Sequence, residues 1–178
     1  MDVLDAIFNR RSVRSYKSDP IPEDIMQKLL EVLRAAPSAG NKQPWKFIVV
    51  TNKDLRNKLV KDCRGQKFLA QAPVVIVGCG IPEIAWKGMG GDSGRDAIDV
   101  DMAIAIDHLT LAAVSFGLGT CWIGAFQEDL VKKTLNISHK YRVVALTPLG
   151  YPESPDMNHP LKESNRKPLN EIIVKEQF

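Results

Sequence analysis

The stretch "DVDMAIAIDHLTLAAVSF", Asp99 to Phe116, decides how the chain is organised. Its apolar residues recur at helical spacing and cover most of the circumference of the helix they predict. A helix of that kind runs through a core or along a subunit interface, because a surface helix carries a narrower stripe. Asp101, Asp107 and His108 interrupt the run, so it does not read as a membrane span.

On the N-terminal side of this helix lies "APVVIVGCG", Ala72 to Gly80, whose unbroken apolar character predicts a strand buried on both faces. The glycine-rich "WKGMGGDSGRD", Trp86 to Asp96, reads as a mobile loop. Further upstream, residues 47–51 predict a strand and Asp54 to Lys61 a short polar helix. Residues 2–9 predict a first helix. A second begins near Pro22, with Glu23 and Asp24 in its first turn and Ile25, Leu29, Val32, Leu33 and Ala36 as its buried stripe. On the C-terminal side, "GTCWIGAF" predicts a short extended piece, Glu128 to Leu135 a helix, and "YRVVALTPLGYP" a third clear strand. Ile172 to Val174 offers a fourth. Strands mixed with helices define an α+β or α/β sandwich.

The 178 residues suit one domain with a real hydrophobic core, followed by a C-terminal arm over about 152–178. A formal charge of +3 suits an anionic small ligand and falls far short of the basic stripe of a nucleic-acid binder. The N-terminus "MDVLDAIFNRRSVRSY" places acids ahead of bases, the wrong order for a secretory signal. A cytoplasmic protein with no membrane or nucleic-acid partner is the expectation. Cys63, Cys79 and Cys121 form no CxxC, His108, His139 and His159 are isolated, and HExxH is absent, so no metal site is expected.

Glycine motifs are suggestive but fail on context. Gly78-Cys79-Gly80 follows a strand yet leads into Pro82-Glu83 rather than a glycine opening a helix, so a Rossmann or P-loop reading is excluded. GxSxG is missing, and Cys121 beside Trp122 reads as a packed thiol. "RRSVR", residues 10–14, supports two readings. Arg10, Arg11 and Arg14 could cap a helix C-terminus, or with Ser12 could clamp a phosphate. Arg166-Lys167 is a second basic pair near the far end of the chain. Gly119 to Phe126 could bring backbone amides against a flat ring, or could be an interior strand with a glycine kink. "PSAGNKQPW", Pro37 to Trp45, gathers small residues, amides and an aromatic beyond what a turn requires.

Six segments in order resemble the nitroreductase family of FMN-dependent oxidoreductases: "RRSVRSY", "PSAGNKQPWKFIVV", "APVVIVGCG", "GLGTCWIGAF", "VVALTPLGYP" and "NRKPLNEII". The resemblance covers nearly the whole chain. It implies a three-layer α/β/α sandwich with a central, mostly antiparallel sheet, and a homodimer with FMN at the interface; the long helix around Met102 to Phe116 is expected to form much of that interface. It also implies hydride transfer from NADH or NADPH to nitroaromatic or quinone acceptors by a ping-pong route. On this resemblance Arg10, Ser12, Arg14 and Arg166 hold the phosphate and ribityl chain, with Arg11 and Lys167 beside them. Pro37, Ser38, Ala39 and Asn41 form a loop lent to the partner's flavin, anchored by Pro44 and Trp45. Amides around Trp122, Ile123 and Gly124 face the ring, and Gln66 reaches it. No catalytic acid, base or nucleophile is then needed, because the flavin carries the chemistry. A relative using the same cradle for reductive dehalogenation or flavin-directed chemistry, or a non-catalytic flavin-binding electron carrier, would share these features.

Overall fold

The computed structural model describes residues 1–91 and 94–177. Helix α1 (Val3–Asn9) opens on a capping box, with the Asp5 N–H donating to Asp2 at 2.8 Å and the Asp2 N–H returning to Asp5 at 3.3 Å. Helix α2 (Glu23–Ala35) buries Met26, Leu29 and Leu33, while Ile25 and Val32 are half-buried flanks of that stripe. Strand β1 (Trp45–Val50) starts two residues before the apolar run because Trp45 and Lys46 already pair with Gly80 and Cys79. There follow α3 (Lys53–Asp62), the single turn α4 (Phe68–Gln71) and β2 (Val74–Gly80), which is buried at every position.

Trp86 to Asp96 departs from the expected loop. Lys87–Met89 (β3) pairs antiparallel with Arg95–Asp96 (β4) in a separate hairpin, and Asp92 and Ser93 lie outside the described residues. The reason lies in distant sequence: Arg142 donates two hydrogen bonds, at 3.0 and 2.9 Å, to the two oxygens of Asp96. A bidentate guanidinium–carboxylate pair fixes orientation as well as distance. Helix α5 (Ile98–Ser115) follows, then β5 (Gly119–Thr120), α6 (Glu128–Leu135), β6 (Arg142–Gly150) and a short turn α7 (Leu169–Ile172).

The main sheet has the order β1-β2-β6-β5, with every pairing antiparallel. Its alternating residues build two cores. Val74, Ile76 and Leu149 face α2 and α5, where Leu29, Leu33, Ala105, Leu109 and Ala113 meet them. Val75, Val77, Cys79 and Val143 face the other way, onto Leu59, Leu69 and Val131 of α3, α4 and α6. The result is an α+β fold of three layers, α/β/α. Each fully buried Leu or Ile here contributes about 1.5–3 kcal/mol. Helix α5 is apolar on most sides because α2, the sheet and α1 all press on it. Its Met102 and Ile106 lie over Gly78, where an added Cβ would sit 2.5 Å from the Met102 sulfur.

The fourth strand is β5, out of "GTCWIGAF", and not Ile172 to Val174. Those residues lie on an arm that is exposed throughout 162–177, so no sheet edge is there to receive them. Among the described residues no helix is long and apolar enough to cross a membrane, and no group of three metal-ligating side chains gathers.

Candidate functional site

Residues 10–14 leave α1 as an extended segment and dock beside β5. Ser12 bridges Thr120 in parallel, and the Val13 N–H donates to the Thr120 carbonyl at 2.9 Å. Alternation then divides the side chains. Val13 is 1% exposed and covers Gly119, where an added Cβ would sit 2.6 Å from Val13 Cγ2. Arg10, Ser12 and Arg14 project to the other side, where Ser12 bonds the Cys121 thiol and the charges of Arg14 and Arg10 act on it.

Arg11 separates from this set. Its guanidinium donates to the carbonyls of Phe8 and Arg10, so it caps the C-terminus of α1, and its backbone N–H goes to Asn158 Oδ1 at 3.3 Å. Burial, followed by the nearby charges of Arg166 and Arg10, lowers its pKa. The charge of Arg166, 155 positions away in sequence, thus reaches Arg11 at the N-terminal cluster. Among the described residues none of Arg10, Arg11, Arg14 and Arg166 forms an ion pair with a carboxylate. With Arg11 spent on the helix end, Arg10, Arg14 and Arg166 leave positive charge that no carboxylate offsets, which favours an anion. Lys167 follows Arg166 on the exposed arm and lines a cleft with it, Glu163 and Leu161.

After Thr120 the chain continues along the edge of β6. Ile123 uses both its backbone groups on Leu146, at 2.9 and 3.1 Å, and its side chain is buried. Ile123 therefore has no amide to offer a ring, a departure from the reading that grouped it with its neighbours. The amides of Trp122 and Gly124 have no acceptor among the described residues and point the opposite way, as antiparallel alternation requires. A Cβ on Gly124 would meet nothing within 4 Å, so this edge is open. Gln66 joins the segment, its amide nitrogen 3.0 Å from the Cys63 carbonyl and 3.3 Å from that of Ala125. Thr120 adds a buried hydroxyl with no hydrogen-bond partner.

The loop after α2 lies elsewhere. Ala39–Asn41 forms one 3₁₀ turn beyond the exposed Pro37, and the Ala39 N–H donates to Asp101 Oδ1 at 2.9 Å. Ser38 Oγ accepts from the Gln43 N–H at 2.8 Å, and Gln43 Nε2 reaches Asn41 Oδ1 at 3.2 Å. Asn41 and Gln43 hold φ of 52° and 48°, costly values for residues with a Cβ, and these side-chain bonds hold them there. The amides thus lock the loop. Buried Pro44 anchors it through a 2.8 Å bond from Ile81, and Trp45 packs on the core. Asp101 stands near the start of α5, whereas β5 follows its end. The rise from Asp101 to Ser115 is about 21 Å of helix, and it separates the Ser38–Asn41 loop from residues 10–14 docked beside β5.

Several contributors gave no signal in sequence. Asn158 ties the two helix ends by donating to the Leu118 carbonyl at 3.1 Å while accepting from Arg11. Tyr16, 4% exposed, donates its hydroxyl to the Val13 carbonyl at 2.7 Å and stiffens the 10–14 segment. Asp101 belongs with them: of the acids Asp99, Asp101 and Asp107 in α5 it is the buried one, which the sequence does not distinguish.

Fold and site together define a chain that offers an unpaired basic cluster and free strand-edge amides to an anionic, partly flat ligand. The chain belongs to the nitroreductase family, and with it to the oxidoreductases: the family model, described as Nitroreductase family, matches residues 7–66 and 60–151. A protein of Methanothermobacter thermautotrophicus, named as a candidate NADH dehydrogenase/NAD(P)H nitroreductase, is 35% identical over 160 residues, 85% of this chain and 78% of that one. A solved nitroreductase family protein from Clostridium difficile 630 superposes over the whole of both chains with a TM-score of 0.86 and 30% identity. An FMN-dependent nitroreductase from Clostridium difficile R20291 superposes with a TM-score of 0.83 and 26% identity, over 98% of this chain and 99% of that one.

Proposed function

We propose that the protein is an FMN-dependent oxidoreductase that takes hydride from NADH or NADPH and reduces nitroaromatic or quinone-type acceptors, turning over by a ping-pong route as a homodimer. The observation that carries this reading is the cluster of Arg10, Arg14 and Arg166 beside Ser12, without a counter-charge and next to the free amides of Trp122 and Gly124. The donor set fits FMN: guanidinium forks and a hydroxyl for a phosphate, outward amides and an open glycine for a flat heterocycle. The relatives point the same way, one named for FMN and one for NAD(P)H.

FMN, when bound, supplies the hydride-accepting and hydride-donating chemistry. The chain positions it and supplies electrostatics. Arg10, Arg14 and Arg166 would neutralise the phosphate, and Ser12 would donate to it or to the ribityl chain. The Trp122 and Gly124 amides would stabilise negative charge on the ring's polar edge, as preorganised donors do wherever charge develops. Gln66, beside Ala125, would border the same edge, and Lys167 would stand behind Arg166.

Two features support the homodimer. The Ser38–Asn41 loop is bonded to Asp101, about 21 Å of helix before the end of α5 from which the chain enters β5 beside the basic segment, so a second copy would bring a loop to that segment. Val3, Leu4, Ile7 and Phe8 of α1 form an apolar face that is 46–66% exposed, and the arm carries Leu169, Ile172, Ile173 and Val174 uncovered. Exposed apolar surface on this scale marks an interface. The arm, about 152–178, would deliver Arg166 while covering the partner.

The test is the visible spectrum of the purified protein, before and after adding FMN and desalting, followed by NADH or NADPH without air. Retention of about one FMN per chain and bleaching of its absorbance are expected. A colourless protein that lets FMN pass overturns the reading, and retained FMN that no nicotinamide bleaches leaves a carrier.

A further inference from the structure

We infer that Trp86 is the platform on which a planar aromatic acceptor stacks, and so the residue that favours aromatic over compact oxidants. This rests on the reading of the Ser38–Asn41 loop as part of a flavin site. The indole lies against two glycines. A Cβ on Gly88 would sit 3.3 Å from Trp86 Cη2 and 3.4 Å from Cζ2, and one on Gly40 would sit 3.8 Å from Cδ1. Both glycines hold positive φ, 58° at Gly40 and 117° at Gly88, so neither position favours a larger residue. Two independent elements, the 3₁₀ turn at Ala39–Asn41 and the β3–β4 hairpin, thus leave room for one ring between them.

The ring is not a core residue. Trp86 stays 40% exposed, while its neighbour Ala85 is buried. Its backbone is nonetheless fixed, since the Trp86 carbonyl accepts from the Ala97 N–H at 3.0 Å at the foot of α5. Asp96, bonded to both Arg142 nitrogens, pins the far strand of the hairpin. A partly exposed aromatic with a fixed backbone offers ring surface at a reduced entropy cost of ordering on binding. Its contact with Gly40 places the ring at the loop which, in the proposed dimer, borders the partner's cofactor. The chemistry that an indole face selects is flat and conjugated: a nitroaromatic or a quinone.

The experiment compares full-length FMN-loaded protein with Trp86→Ala and Trp86→Phe, using a naphthoquinone and ferricyanide as oxidants, the latter compact and without a π-face. The expected result is a fall of about tenfold in kcat/KM for the quinone relative to that for ferricyanide in W86A, carried by KM. That is the scale of one lost stacking contact. W86F should restore most of it. An unchanged ratio overturns the inference. So does a shift in oligomer mass with no change in ratio, which would make Trp86 a subunit contact. Loss of FMN binding in the unaltered protein would remove the functional reading as well, and is seen before any variant is compared.

Discussion

Asp101 Oδ1 accepts the backbone N–H of Ala39 at 2.9 Å, and this carboxylate is 2% exposed with its second oxygen unpartnered. A half-satisfied buried carboxylate is costly, and here it fixes the loop proposed to serve the partner's flavin. Asp101→Ala is expected to weaken FMN binding about tenfold, the scale of one lost hydrogen bond. Asp101→Asn retains an acceptor for Ala39 and should bind FMN within about threefold of the unaltered protein, since a neutral acceptor gives a weaker bond than a charged one. Fluorescence titration with FMN checks both. Equal losses in the two variants would show that the charge matters rather than the loop contact.

Arg166 and Arg11 separate ligand binding from helix capping. Arg166→Ala should reduce FMN affinity by about tenfold to a hundredfold, corresponding to about 1.5–3 kcal/mol for a charge-assisted contact, and leave the melting temperature of FMN-free protein unchanged. Arg11→Ala removes the cap on the Phe8 and Arg10 carbonyls. It should cost about 1 kcal/mol of stability with the smaller effect on FMN. Thermal melts and FMN titrations of both variants decide the matter, and the reverse pattern would reassign the two arginines.

The three cysteines are free and buried, and burial pushes Cys63 up to about 12 and Cys79 up to about 11. Burial also raises Cys121, against the opposing effects of Arg14, Ser12 and Arg10. A raised thiol pKa leaves little thiolate at pH 8, so the native protein should react slowly with a chromogenic disulfide, Cys121 first. In guanidinium all three should react at once. Rapid labelling of Cys63 in native protein would contradict its packing.

Burial alone would raise the Asp96 carboxyl, but the hydrogen bond and charge of Arg142, the Ile98 N–H and Lys87 outweigh it and hold it below 3.8. A depressed carboxyl stabilises the fold above its unfolded pKa, and that contribution is lost as pH falls through the folded value. Melting temperature should therefore fall more steeply below pH 4 in the unaltered protein than in Asp96→Asn. Parallel curves would show that the Asp96–Arg142 pair does not hold the hairpin.

The sequence by itself determined the periodic elements. Glu128 to Leu135 and the buried strand Val74–Gly80 follow from local apolar spacing, and α5 begins and ends within one residue of its apolar run. It also supplied the candidate residues, because guanidiniums, glycines and amides at fixed positions limit what chemistry a segment can do. Their grouping depended on contacts between residues remote in the chain. Ser12 meets Thr120, Arg11 meets Asn158, Ala39 meets Asp101, and Arg142 turns a glycine-rich segment into a hairpin. None of these pairs has a period or a spacing. Strand alternation then decided which groups face outward, spending the amide of Ile123 on Leu146 while leaving those of Trp122 and Gly124 free. Local pattern sets what a segment can become, whereas hydrogen-bond partners and burial, which exist only after folding, set which of its groups remain available for a ligand.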